Sequence, residues 1–223
     1  MRLGEGLWKN ASRVRPYRLD ILDVRQKVAA SLVVVEAEGS PALLALRLKV
    51  AGQKITEIET QVTRTQQEGR LFNVTALDSP SKAMTMMPEA PQRASREEAI
   101  RIAEFYPAGL KIGSFVTADA PFAADAYRLE NGVATAGHGC ARGGCENIKT
   151  QNILKHPALT YQVKAVDEDS GIVLLHMNFG DTGSYGPGNA LFVWEAFKVY
   201  GGQIHGVEAF MKVLPANTKF AWQ

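Results

Sequence analysis

Cysteine is scarce: Cys140 and Cys145 are the only two in 223 residues. Two thiols cannot build a disulfide framework, and their expected state is reduced. Excess charge of either sign is also missing, since 25 Lys and Arg face 23 Asp and Glu for a net +2. Such a balance creates no field that would draw nucleic acid or an anionic membrane surface, so neither is expected as a partner. No apolar run approaches the roughly 18 residues of a spanning helix. The opening MRLGEGLWKN has no apolar core of signal-peptide length, which makes a cytoplasmic location the expectation. The phosphate loop GxxxxGK[ST] is absent, and the glycines near 137–144 do not join a strand to a helix as a dinucleotide loop does. What is present is ordinary for a globular protein: 46% hydrophobic and 22% charged residues, enough for one large or two small domains.

The chain repeats itself. RLKVAGQKITEIETQV (47–62) aligns with AFKVYGGQIHGVEAFM (196–211). At that spacing Lys49, Val50, Gly52, Ile55 and Glu59 fall on Lys198, Val199, Gly201, Ile204 and Glu208. Upstream, Tyr17 falls on Tyr161, Val28 on Ile172, and the turn DVRQK (23–27) on DEDSG (167–171). The loop GDTGSYGPGNA absorbs the difference in spacing. Each copy reads as four strands rich in Val, Ile, Leu and Phe, joined by short Gly- or Asp-bearing turns, a pattern of antiparallel meanders. The expected organisation is a partial first module over 1–66, an irregular linker over 67–94 and a complete second module over 95–223.

The second copy has a longer front end. Ser95 with Glu98 forms a capping box that starts a helix, and Pro107 is expected to kink or end it. A strand, PFAADAYRLENG, closes at an Asn-Gly turn. A glycine-rich loop, VATAGHGCARGGCE, and a short helix, ENIKTQNILKHP, follow. The first copy has no counterpart to most of this, so its sheet would lack a cover on one face. The second module or another subunit would supply that cover, and a homodimer is expected.

The helical REEAIRIAEFYPAGL, then PFAADAYRLENG, then a meander ending VYGGQIHGVEAFM resemble the SnoaL-like superfamily, also called nuclear-transport-factor-2-like. The GLW near the start and LALRLKV with ITEIET extend the resemblance to tandem proteins of that kind. It implies an α+β fold: two cone-shaped modules, each a curved antiparallel sheet packed on helices around an apolar pocket, the first incomplete. It further implies isomerase, lyase or cyclase chemistry by acid–base groups without metal or cofactor, on a small hydrophobic or aromatic metabolite. Many relatives only bind or dimerise, so fold does not settle activity.

Several residues could carry chemistry. Asp125 stands where helices hand over to the first strand, and burial there would raise its pKa into a useful range. Arg128 and Glu130 share a strand face, as an oxyanion-binding pair or as an ordinary surface ion pair. On GIVLLHMNF, His176 and Asn178 share a face with Ile172 and Leu174, while Val173, Leu175 and Met177 make the other face wholly apolar. His176 is expected as a proton acceptor on a cavity wall, with Asn178 as an amide donor, unless this strand end simply reaches solvent. Glu195 sits between Val193 and Phe197 on one face, and a carboxylate in such company is partnered or functional. Trp194, on the other face, and Tyr161 are further candidates for contacting a ligand, although Tyr161 recurs as Tyr17 and so reads equally as structural. His138 is placed in a lid made by the glycine-rich loop. The catalytic set expected is thus Asp125, His176, Arg128 and Asn178, with Glu195, Glu130, Tyr161, His138 and Trp194 lining the pocket, and no metal.

Overall fold

Strands β1 (Ala11–Asp23), β2 (Val28–Ala37), β3 (Ser40–Ala51) and β4 (Lys54–Thr63) form one sheet in the order β1-β2-β3-β4. A second sheet has the order β6-β5-β10-β9-β8-β7. It is built from β5 (Phe122–Glu130), β6 (Val133–Ala136), β7 (Thr160–Asp167), β8 (Ile172–Asn178), β9 (Asn189–Tyr200) and β10 (Gln203–Pro215). Helices are few: α1 (Leu7–Asn10), α2 (Gln66–Gly69), α3 (Lys82–Thr85) and α4 (Arg96–Ile112). The fold is α+β, and the computed structural model describes residues 5–221, so the outermost ends of the two expected modules lie outside the described residues.

Both meanders have one pairing diagram. Asp23 pairs with Val28 and Val28 with Lys49; at equivalent places Asp167 pairs with Ile172 and Ile172 with Lys198. Even a β-bulge recurs. Thr56 is skipped between Val50↔Ile55 and Lys49↔Glu57, as His205 is skipped between Val199↔Ile204 and Lys198↔Gly206. A bulge re-aims every side chain beyond it, so its recurrence keeps the same residues on the same faces in both copies.

The two sheets pack face to face. Tyr17, Leu19, Ile21, Leu32, Val34, Leu43 and Ala45 of the first meet Ile172, Leu174, Trp194, Ala196 and Phe210 of the second in one core. The contacts across this joint are reciprocal. The Val166 N–H donates to Asp23 Oδ2 at 2.9 Å, and the Leu22 N–H, its mate in the repeat, donates to Asp167 Oδ2 at 3.1 Å. Gln61 Nε2 donates to the carbonyl of Phe210, the residue that occupies its own place in the second copy, at 3.2 Å. The joint is therefore isologous, a two-fold interface within one chain. Of the two expected sources of a cover for the first sheet, the second module and another subunit, the second module supplies one face. The other face of the first sheet carries Val33, Val35, Leu44 and Leu46, partly roofed by Leu7 of α1.

The far face of the second sheet holds α4. Ser95 Oγ accepts from the Glu98 N–H as the capping box requires, and Gly113 ends the helix at φ 80. Pro107, expected to kink or end the helix, does not end it: α4 continues to Ile112. A proline inside a helix costs about 3 kcal/mol, and burial of Ile102, Ala103, Tyr106 and Leu110 on both sides of it offsets that. ENIKTQNILKHP, expected as a helix, forms turns, with Asn147 Oδ1 accepting from the Lys149 N–H in place of helical bonding. The connection after β4 is irregular but pinned. Buried Lys198 donates to the carbonyls of Met84, Met86 and Ser170.

Asp23 also accepts from both η nitrogens of Arg96, at 2.9 and 2.7 Å, and is buried. Burial pushes its pKa up, but Arg96 and the Gln26 and Val166 amides outweigh this and hold it below the usual carboxylate value. A lowered native pKa gives stability that is present above the unfolded-state value and lost as pH falls through the folded one. Asp23→Ala is expected to cost about 3 kcal/mol, because Arg96 is left half-covered and unpaired. Urea denaturation at pH 7 measures this, and the difference from wild type should shrink as the pH is lowered below about 4.

Candidate functional site

The face of the second sheet beneath α4 is apolar except for one cluster. Glu195 sits mid-strand on β9, 1% exposed, between Val193 and Phe197 in the core. Arg128 reaches the same region from β5 and is 7% exposed. Its Nε donates to Thr135 Oγ1 at 2.9 Å, its Nη1 to the Tyr106 hydroxyl at 3.2 Å and its Nη2 to Gln151 Oε1 at 2.8 Å. Glu130 Oε2 lies 3.3 Å from Arg128 Nε. Tyr106, on the buried side of α4, thus accepts from the guanidinium, and its hydroxyl also favours the ionised form of Glu195.

A cavity of about 480 Å³ opens above this cluster, walled by Tyr106, Arg128, Glu130, Gln151, His156 and Tyr185 among others. Glu195 is buried and is not among the residues that line it. Burial pushes the Glu195 pKa up to about 8, helped by the Glu130 charge and opposed by Arg128 and Tyr106. Its Oε2 has no hydrogen-bond partner among the described residues. Burial disfavours the Arg128 charge, but Tyr106, Glu130 and Glu195 more than restore it. Burial also keeps the Tyr106 hydroxyl protonated and lowers the pKa of His156. Near neutral pH the cluster thus combines a fixed cation, a carboxyl that gains and loses its proton, and a phenol between them.

Of the expected residues, the structure brings Arg128, Glu130 and Glu195 together here. The others lie elsewhere. Asp125 is exposed: β5 runs from Phe122 to Tyr127 while its partner β10 advances only from Ile204 to Gly206, and the surplus bulges outward with Asp125 on it. His176 and Trp194 face the first sheet, stacked on each other with ring centroids 4.4 Å apart. Asn178 is a strand-end clamp, donating to the Ala216 carbonyl and accepting from the Gly180 N–H. Tyr161 donates to Glu104 at 3.1 Å and so fastens α4 to the sheet edge. His138 is exposed on the glycine-rich loop. That loop is closed by a Cys140–Cys145 disulfide, which corrects the expectation of reduced thiols. Gly139 and Gly144, both at positive φ, turn the chain tightly enough for the two cysteines to meet. Arg142, inside the closed loop, reaches the cavity rim.

Tyr106, Gln151, His156 and Tyr185 were not foreseen. For Tyr106 a signal exists: with Ala99, Ile102, Ala103 and Leu110 it completes the i, i+3, i+4 stripe of α4, and its hydroxyl must then find a buried partner. The other three sit on irregular backbone, where no period marks the direction of a side chain.

Fold and site together define an α+β protein with a polar cluster under a sheet-bound helix. The chain belongs to the family described as a domain of unknown function (DUF8021), whose model matches residues 92–211, more than half its length. The matched segment runs from just before α4 into β10 and contains every cavity residue named above. No curated protein matches the chain. Among the described residues no helix is long and apolar enough to cross a membrane.

Because the Glu195 pKa is raised on folding, the native state holds a proton that the unfolded chain releases above about pH 4.5. Stability should fall between that value and about 8, by about 1.4 kcal/mol per pH unit at most. Glu195→Gln should abolish this fall, making the variant more stable than wild type at pH 8 and near parity at pH 5. Thermal melts across that range measure it.

Proposed function

We propose that the cavity under α4 binds a small, partly apolar metabolite bearing a carbonyl or carboxylate. The chain would act on it as a cofactor-independent lyase or isomerase through general acid–base chemistry. The observation carrying this reading is Glu195: a carboxyl with a pKa pushed up to about 8, whose charge is favoured by Arg128 and by the Tyr106 hydroxyl that Arg128 holds at the cavity. Arg128 has five N–H groups and spends three on Thr135, Tyr106 and Gln151, leaving capacity on both η nitrogens for a ligand oxygen. Charge developing on that oxygen would be steadied by a cation already in place. Proton exchange would run through Tyr106 to Glu195, whose pKa suits transfer near neutrality. The SnoaL-like resemblance belongs to this proposal and is favoured by the helix-covered sheet with polar groups at its centre. The Cys140–Cys145 bond, of a kind that persists in oxidising compartments, counts against a cytoplasmic location.

A non-catalytic binding role is the second reading. It is favoured by the absence of Glu195 from the cavity lining, so that the carboxyl with a raised pKa is not in direct reach of a ligand.

A thermal-shift screen of small carbonyl and carboxylate compounds would supply a ligand. Arg128→Lys is expected to weaken its binding by tenfold or more, because a point charge replaces the fork. If the ligand is turned over, Glu195→Gln and Tyr106→Phe should each lower kcat by about 10²–10⁴ with KM little changed. Binding without turnover, indifferent to Glu195→Gln, would support the second reading.

A further inference from the structure

The isologous joint between the sheets places two glutamates at equivalent positions, Glu208 on β10 and Glu59 on β4, and their surroundings differ. Glu208 is closed. Its Oε2 accepts from the Tyr17 hydroxyl at 2.5 Å, and its Oε1 accepts from the Tyr127 hydroxyl at 2.8 Å and from the Ser81 N–H at 3.3 Å. Gly206 leaves the space that the Tyr127 ring needs, since a Cβ there would lie 2.6 Å from that ring.

Glu59 is open. The residue that repeats Tyr17 is Tyr161, but β7 carries a bulge between Val163 and Ala165, and upstream of it the faces are exchanged. Tyr161 therefore points to α4, and Lys164 takes the inner side, with its Nζ 3.2 Å from Glu59 Oε2. Tyr127 has no counterpart, because β5 precedes the repeated meander. The result is a collection of buried polar atoms with neither a hydrogen-bond nor an ion-pair partner among the described residues: Gln61 Oε1, His176 Nε2 and Trp194 Nε1. Glu59, Gln61, His176 and Trp194 are each at most 8% exposed. Orphaned buried groups are uncommon, and three around one cavity call for an occupant. All four side chains line a cavity of about 250 Å³, with Phe192 as a further wall and Thr218 to Ala221 across its mouth. The Phe220 ring lies 4.9 Å from that of His176.

We propose that this inter-sheet cavity is a second ligand site, and that it takes a hydroxyaromatic molecule whose phenolic hydroxyl is held by Glu59. The aromatic ring would lie among His176, Trp194, Phe192 and Phe220. The hydroxyl would donate to the Glu59 carboxylate, as the Tyr17 and Tyr127 hydroxyls donate to Glu208. The indole N–H of Trp194 would donate to the same oxygen or to a second substituent. His176 has a pKa lowered by burial, so near pH 7 it is neutral and offers one donor and one acceptor. The site is independent of the α4-side cavity, since it uses the opposite face of the same strands.

The test uses p-cresol, the tyrosine side chain as a free molecule, against toluene, which has the same shape without the hydroxyl. Binding is followed by NMR of the indole N–H groups and the methyl groups. The proposal expects p-cresol to bind at least tenfold tighter than toluene and to shift the Trp194 indole resonance. Glu59→Gln should reduce the preference to threefold or less. Gln61→Leu, which does not strand Lys164, should weaken p-cresol by three- to tenfold in a protein with an unchanged melting temperature. Equal affinity for the two compounds, shifts confined to the α4 side of the sheet, or an undiminished preference in a folded Glu59→Gln protein would each overturn it.

Discussion

The structure depends on a pair of crossed hydrogen bonds, Val166 N–H to Asp23 and Leu22 N–H to Asp167, which lock two copies of one meander face to face. Hydrogen bonds to ionised carboxylates are among the stronger ones, about 1.5–3 kcal/mol each. Here each carboxylate also ends its own strand, so the bonds fix register as well as contact. Once they form, the inner face of each sheet is decided and the outer faces follow by alternation. Everything polar on an inner face must then be satisfied inside the joint. On the outer face of the second sheet, polar groups answer to α4 instead.

This division explains how one strand can serve two environments. On β9, Trp194 faces the first sheet and Glu195 faces the helix, one residue apart. On β8, His176 belongs to the joint and Leu175 to the core under α4. The residues matched by the DUF8021 family, 92–211, hold the whole of the α4-side cluster. The inter-sheet cavity straddles that boundary, because Glu59 and Gln61 come from the first meander and His176 and Trp194 from the second. A property of the matched family segment and a property of the paired copies are thus physically separable in one molecule.

Much of this was legible in the sequence, and the limits have physical causes. The repeat gave two meanders with Val28 equivalent to Ile172 and Lys49 to Lys198, and the structure pairs Val28 with Lys49 and Ile172 with Lys198, one register in both copies. Alternation correctly grouped His176 with Asn178, and Glu195 with Val193 and Phe197. What alternation cannot say is which partner covers which face, and so His176, expected on a cavity wall or at a strand end reaching solvent, could not be assigned to the joint between the sheets where it lies. Bulges are the second limit. The one beside Lys164 turned Tyr161 away from its repeat partner's role, and the surplus in β5 pushed Asp125 into solvent. Pro107 misled because local backbone preference is smaller than the burial of the residues around it.

The central claim is the crossed pair, and an amide resonance reads it directly. In a pH titration by ¹⁵N-resolved NMR, the Val166 amide proton should follow the Asp23 carboxylate, with a midpoint below the ordinary value near 3.8. That dependence should vanish in Asp23→Asn. A Val166 amide that ignores acid pH in the wild-type protein would mean that the two meanders do not meet in this way, and would contradict the account.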